Sequence, residues 1–382
     1  KGHRQQIAPA RAVHRDKRAS VRRILLRRRQ THRPHPLPED LCTAETAAGK
    51  GVSASVMQNS PYNYSVIIPH HDIPDLLERC LRSIPVRDDV QVIVVDDASA
   101  PEHQDRLHQL ELAFPGAEFI YSPSNRGAGA ARNIGLEHAT GKWLIFADAD
   151  DFFAENFGEI LDEYLAEHED IIYFRAICVS SDNTSEVVRR SSVSFFDEVF
   201  DRYIASGDDS ELRCAIVSPW AKLFRREFVS NSALRFEETP YSNDVYFDVA
   251  AGCSASSVKA VNEVVYCYTL RDGSLTSAFA DKPGELRVRA EVCYRAQKIM
   301  KEHGYKFHFM PMTEYMSIMF HTDKQMFREF LKKAPDIYES KVDAIRQIRW
   351  WENGLIPKLR VVAYSVLCII SDFVRPQTWP AQ

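Results

Sequence analysis

Long apolar runs are missing from this chain. Nowhere do eighteen apolar residues follow one another, so no transmembrane helix is expected. A secretory signal is missing as well: the basic stretch "RRILLRRRQTHR" (22–33) has too short an apolar centre. The eight cysteines include no Cys-x-x-Cys pair, and no His/Cys spacing looks like a ligand set. A zinc site is therefore not expected, and buried, reduced thiols of a cytosolic protein are. Internal repeats are absent.

Positive charge is scarce outside the first segment. Residues 1–56 hold thirteen Lys/Arg against four Asp/Glu, whereas the remainder holds 35 against 49. A globule that acidic is a poor candidate for binding nucleic acid. Residues 1–60, rich in Arg, His, Pro and Ala, read either as a disordered basic segment or as a non-native leader, with Met57 as the start.

What is present from Tyr64 onward is alternation. "YSVIIP" (64–69), "VQVIVV" (90–95), "AEFIYS" (117–122), "KWLIFA" (142–147) and "DIIYFRA" (170–176) read as strands. Between them "DLLERCLRSI" (75–84), a segment opened by the capping box Ser99-x-x-Glu102, "GAGAARNIGLEHA" (127–139) and a stretch around 154–167 read as helices. Strands apolar throughout and separated by helices predict an α/β fold whose mostly parallel sheet is covered on both faces. Ligands in such sheets bind beyond the carboxyl ends of the strands. That rule places Pro69 to Asp72, Asp96-Asp97, Asn125 to Gly127 and Asp148 to Asp151 on one rim. Residues 61–280 are expected to form this domain and 281–382 a helical C-terminal region, including 286–304, closed by a capping Gly304, and 312–333. The segment 356–376, apolar at its centre and basic at its edges, reads as a docked helix or as an interfacial membrane contact.

The stretch "FADADDFF" (146–153) puts three carboxylates at the end of a strand. Residues i and i+2 of an extended chain point the same way, so Asp148 and Asp150 aim at one point. Carboxylates that converge need a cation or a proton between them, and two hard oxygen ligands suit Mg²⁺ or Mn²⁺ completed by water and phosphate. Asp151 reads as an N-cap of the following helix. Asp96-Asp97 either satisfies a turn or accepts hydrogen bonds from a base or ribose. The glycines of "NRGAGAARNIG" follow the third strand rather than the first. They read as close helix packing, not as a dinucleotide fingerprint. Arg132 reads as a phosphate contact or a surface ion-pair residue, Trp220 as a sugar platform or core, and Lys222 as an acceptor contact or a surface residue.

These ordered motifs, with "SPWAKLFRREF" (218–228), "NDVYF" (243–247) and "YTLRDGSLT" (268–276), resemble a family 2 glycosyltransferase of the GT-A fold, of the bacterial capsule, exopolysaccharide or lipopolysaccharide kind. The resemblance covers roughly 64–280. It implies inverting transfer of a sugar from a nucleotide-sugar donor, usually a UDP-sugar, to a saccharide or lipid-linked acceptor, in the cytoplasm or at the inner face of the membrane. It further implies that Pro69, His71, Asp96 and Asp97 border the nucleoside and that Asp148 and Asp150 form the Asp-x-Asp metal motif. Asp244 is then the catalytic base, although an N-cap role for it is the plainer alternative. Arg271, Gly273 and Ser274 belong to a segment that closes over the diphosphate. The chain departs from the family at His71-Asp72, where Tyr-Asn is usual, and at Asn243, where an acid usually precedes the base. The rivals are a sugar-phosphate nucleotidyltransferase, disfavoured by the lack of glycine in "PHHDIPD" (69–75), and a non-catalytic assembly protein.

Overall fold

The apolar runs assemble one sheet. The computed structural model describes residues 60–188, 191–271, 283–305, 310–351 and 361–366, all within the unit Gln58–Gln382. Its strands are β1 (Tyr64–His70), β2 (Val90–Asp96), β3 (Ala117–Tyr121), β4 (Trp143–Phe146), β5 (Phe152–Phe153), β6 (Ile171–Ser180), β7 (Lys222–Arg225) and β8 (Val258–Leu270). They lie in the order β3-β2-β1-β4-β7-β6-β8-β5. From β3 to β4 the pairing is parallel. Beyond β4 it is mixed, because β7 runs antiparallel to both β4 and β6, and β5 runs antiparallel to β8.

The helices are α1 (Pro74–Ser83), α2 (Pro101–Ala113), α3 (Ala128–His138), α4 (Phe157–Tyr164), α5 (Ser191–Ser206), α6 (Ser210–Ala215), α7 (Arg226–Asn231) and α8 (Val245–Ser254). Then come α9 (Pro283–Glu302), α10 (Met310–Thr322), α11 (Lys324–Lys333) and α12 (Lys341–Trp351). The central strands are apolar on both faces because each face has its own core. Val66, Ile68, Trp143 and Ile145 pack on one side, and Ile67, Ile93, Leu144 and Phe146 on the other, each full burial contributing about 1.5–3 kcal/mol. Helix α3 lies close on β1: a Cβ at Gly135 would stand 2.4 Å from Ile67 Cγ2. A third core joins Val245 and Val249 of α8 and Cys214 of α6 to α9–α12, so the C-terminal helices share a core with the sheet domain.

Several boundaries differ from the sequence reading. Helix α2 starts at Pro101 with Ala100 at its N-cap and no side-chain cap, because the Ser99 hydroxyl is taken by Asp96. The stretch read as helix from 154 begins at Phe157, and the short strand β5 precedes it. The stretch 312–333 breaks at Asp323, whose carboxylate caps α11 by accepting from Met326 N at 2.9 Å. Gly304 does close its helix, with φ +81° and the Tyr305 N–H bonded to Met300 O. Six cysteines (80, 178, 214, 253, 267, 293) are buried and in no disulfide. Cys42, Cys368, the segment 1–59, the positions 272–282 and most of 356–376 lie outside the described residues. No helix among the described residues is long and apolar enough to cross a membrane.

Candidate active site

Direct hydrogen bonds join the loops at the carboxyl ends of β1, β2 and β3. Asp97 accepts from the backbone of Arg126 (2.9 Å) and Gly127 (2.6 Å). Asp72 accepts from Ala100 N at 2.7 Å while its own N–H donates to Ser99 Oγ. Exposed His71 lies 3.0 Å from Asn125 Nδ2 and 3.2 Å from Asp72. Beneath them Asp96 is buried with His70, whose Nδ1 is 2.8 Å away; the other ring nitrogen accepts from Ile73 N. Burial works against the charge on Asp96, yet the bonds from His70 and Ser99 outweigh it and leave its carboxyl below the usual range. Pro69 is buried within β1, opposite Val95.

The fourth cluster joins through Arg132. Its guanidinium is buried rather than on the surface, donating to Asp148 Oδ1 at 2.6 Å and to Asn243 Oδ1 at 2.8 Å over the Phe236 ring. Asp148 and Asp150 keep 30% and 23% of their side-chain surface open. Arg271 Nε donates to Asp150 Oδ2 at 2.9 Å. Burial, then the neighbouring Asp148, raise the Asp150 carboxyl, against the pull of Arg271. Two partly open acids that repel each other fit a divalent cation, since such ions need only one or two protein carboxylates when a phosphate ligand completes the shell. Among the described residues no group of three or more acids, histidines or cysteines is arranged to hold a metal.

Asp244 stands at the N-cap of α8, but its carboxylate caps nothing. Burial raises its pKa, Arg132 opposes that, and Asp148 adds to it. Ser242, two residues before it, holds a left-handed φ of 54°, as Asp72 and Ala98 do at 57°, Ala221 at 55° and Ala233 at 49°. Such non-glycine strain gathers at sites that the surroundings over-determine. The loop 237–243 is tied from outside: Arg295 pairs with Glu237, and Arg289 reaches Ser242 Oγ and covers the Tyr241 ring. A Cβ at Gly129 would stand 2.1 Å from Glu237 O.

The structure overturns two sequence expectations, for Asp151 and Lys222, and puts Trp220 in one of the two places open to it. Asp151 is no N-cap: its carboxylate is 1% exposed and accepts from Tyr266 Oη and Thr269 N. Trp220 is core, stacked on Tyr266 with centroids 5.3 Å apart. The Lys222 ammonium is neither at the surface nor presented to the rim, because it pairs with Asp248 at 2.6 Å inside the protein. Tyr266, Thr269, His70 and Asp248 were not singled out in the sequence. Each sits inside an apolar or mixed stretch, and its polar partner is distant along the chain.

Residues 65–231 match the sequence model of glycosyl transferase family 2. The glycosyltransferase GlyA of Streptococcus pneumoniae is 24% identical over 225 residues, 57% of this chain and 32% of that one. The cholesterol galactosyltransferase of Borreliella burgdorferi is 27% identical over 233 residues, 57% of this chain and 63% of that one. The chain thus spans about a third of GlyA and just under two thirds of the cholesterol galactosyltransferase. S. aureus TarS 1-349, solved with UDP-GlcNAc, superposes with a TM-score of 0.52 at 19% identity, covering 81% of this chain and 89% of that one. The architecture and the matched sequence agree: residues 65–231 are similar to glycosyl transferase family 2, and the chain has the GT-A fold.

Proposed function

We propose that this protein transfers a sugar, with inversion, from a nucleotide-diphosphate sugar to a hydroxyl of a saccharide or lipid-linked acceptor in cell-surface polysaccharide synthesis. A UDP-sugar is the favoured donor, supported by the UDP-GlcNAc bound in TarS. The observation that carries the reading is Asp244, a partly buried carboxylate with no side-chain capping bond, near enough to Arg132 and Asp148 to feel the charge of both.

Inversion is a single in-line displacement. The acceptor hydroxyl gives its proton to Asp244 as its oxygen bonds to the anomeric carbon, and the bond to the diphosphate oxygen breaks with its electron pair leaving on the diphosphate. The raised pKa of Asp244 makes it the better base. Asp148 and Asp150 are the residues that hold Mg²⁺ or Mn²⁺, which supplies positive charge to the departing diphosphate. Pro69, His71, Asp96 and Asp97 border the nucleoside, and Arg132 keeps Asp148 oriented. Arg271, on Asp150 in this structure, exchanges that carboxylate for a donor phosphate. Location in the cytoplasm, with peripheral membrane contact through 356–376, belongs to the same reading.

Incubation with UDP-sugars and Mn²⁺ is expected to give slow donor hydrolysis. Asp244→Asn is expected to keep donor affinity while losing about 10²-fold or more in transfer. Transfer at near the native rate identifies another base. Pyrophosphate released from UTP and a sugar phosphate identifies a nucleotidyltransferase instead.

A further inference from the structure

We infer that Tyr266 and Thr269 of β8 are positioning residues that set the spacing of Asp148 and Asp150. This rests on the reading of those two acids as the metal pair.

The acids lie on the short loop between β4 and β5, and that loop has little to hold it from within. One turn bond, Asp151 N–H to Asp148 O at 3.0 Å, closes it. Beside the side-chain contacts of Arg132 and Arg271, it is held by β8, more than a hundred residues further along the chain. The Asp148 N–H donates to Tyr266 Oη at 2.9 Å, and the same hydroxyl donates to Asp151 Oδ2 at 2.9 Å. One oxygen therefore bridges the first and last acids of the loop. Thr269 N–H donates to the other oxygen of Asp151 at 2.7 Å, and Thr269 Oγ1 donates to the carbonyl of Asp150, the acid between them. Arg79 of α1 reaches the same carbonyl.

The bridge is rigid and dry. Tyr266 is fully buried and Asp151 nearly so. The Tyr266 ring stacks on Trp220 at an interplanar angle of 7° and meets Phe153 edge-on at 5.5 Å. A tyrosine kept only to fill space needs one partner for its hydroxyl. This one uses donor and acceptor together, and both partners are groups of the acid loop. Removing the oxygen leaves a buried N–H and a buried carboxylate oxygen without partners, and the loop can satisfy them only by turning. Any such turn changes the spacing of Asp148 and Asp150. Groups behind metal ligands act in this way, and their loss typically lowers metal affinity by about 10–100-fold.

The test is a Mn²⁺ titration in the presence of UDP, read by the electron paramagnetic resonance signal of free Mn²⁺, with no turnover required. Tyr266→Phe is expected to weaken Mn²⁺ binding by about 10–100-fold. Tyr173→Phe, which removes another buried hydroxyl that has no hydrogen-bond partner, is expected to bind as the native protein does. Should Tyr266→Phe not fold, Thr269→Val carries the same test through the bond to Asp150. Asp150→Ala separates the two ideas. If it binds Mn²⁺ as the native protein does, the metal reading is wrong. If it does not, while Tyr266→Phe and Thr269→Val both bind normally, the positioning role is refuted and the metal reading stands.

Discussion

The buried pair of Lys222 and Asp248 allows a quantitative test of how α8, and with it Asp244, is held. Lys222 Nζ donates to Asp248 Oδ1 at 2.6 Å and to Ile216 O at 2.8 Å. The two side chains are 1% and 0% exposed. Lys222→Met fills much the same space but leaves Asp248 without its counter-charge, and the second oxygen of Asp248 already has no partner. Breaking one side of such a pair costs about 3–5 kcal/mol, whereas replacing both sides with apolar groups is close to neutral or stabilising. The pH dependence carries a sign. Burial pushes the Asp248 carboxyl up to about 7, against the pull of Lys222. A folded-state pKa above the unfolded value of about 3.9 contributes stability that is full below 3.9 and is lost as pH rises through 7. Without Lys222 the carboxyl is pushed higher still. The deficit of Lys222→Met is therefore expected to be largest near pH 8 and smaller near pH 5.5, where the lone carboxyl keeps its proton. Urea unfolding at both pH values, on Lys222→Met and on Lys222→Met/Asp248→Leu, measures this. A double variant as unstable as the single one, or a deficit equal at the two pH values, refutes the argument.

Two further outcomes are expected. Asp150→Ala removes one of the two open carboxylates of the acid loop, so calorimetry in Mn²⁺ should show UDP affinity sharply reduced, and an unchanged affinity counts against the metal reading. Gly129→Ala forces a Cβ against the backbone carbonyl of Glu237. It should cost about 1–3 kcal/mol and shift the Asn243-Asp244 loop, lowering transfer more than donor binding in a comparison of initial rates with calorimetry.

The sheet was legible because burial on both faces leaves a local trace: β1, β2 and β4 carry apolar residues on both faces, and nothing but their own sequence is needed to read them. The rim was legible by topology, since parallel strands deliver their carboxyl ends to one side. Side-chain roles that depend on a partner far along the chain were not. Asp151 looks like an N-cap until β8 brings Tyr266 and Thr269 to it. Lys222 looks like a surface residue until α8 brings Asp248. Trp220 stays open between platform and core until Tyr266 stacks on it. Arg132 left two readings open, and its buried bridge between Asp148 and Asn243 matches neither a free phosphate donor nor a surface ion pair. Asn243 follows from the same contact: a neutral amide accepts from Arg132 without adding a fourth negative charge beside Asp148, Asp150 and Asp244.

The shared core of α8 with α9–α12 has a consequence for the order in which the protein becomes competent. Synthesis delivers the sheet first, and domains fold as they emerge. The inner face of α8, with Val245, Val249 and Cys253, stays wet until the chain from Pro283 onward leaves the ribosome. Arg289 and Arg295, which tether the loop beside Asp244, arrive with them. The sheet and its acid loop can thus stand formed while the loop beside Asp244 still swings loose, and helices made after the sheet are the ones that fix it.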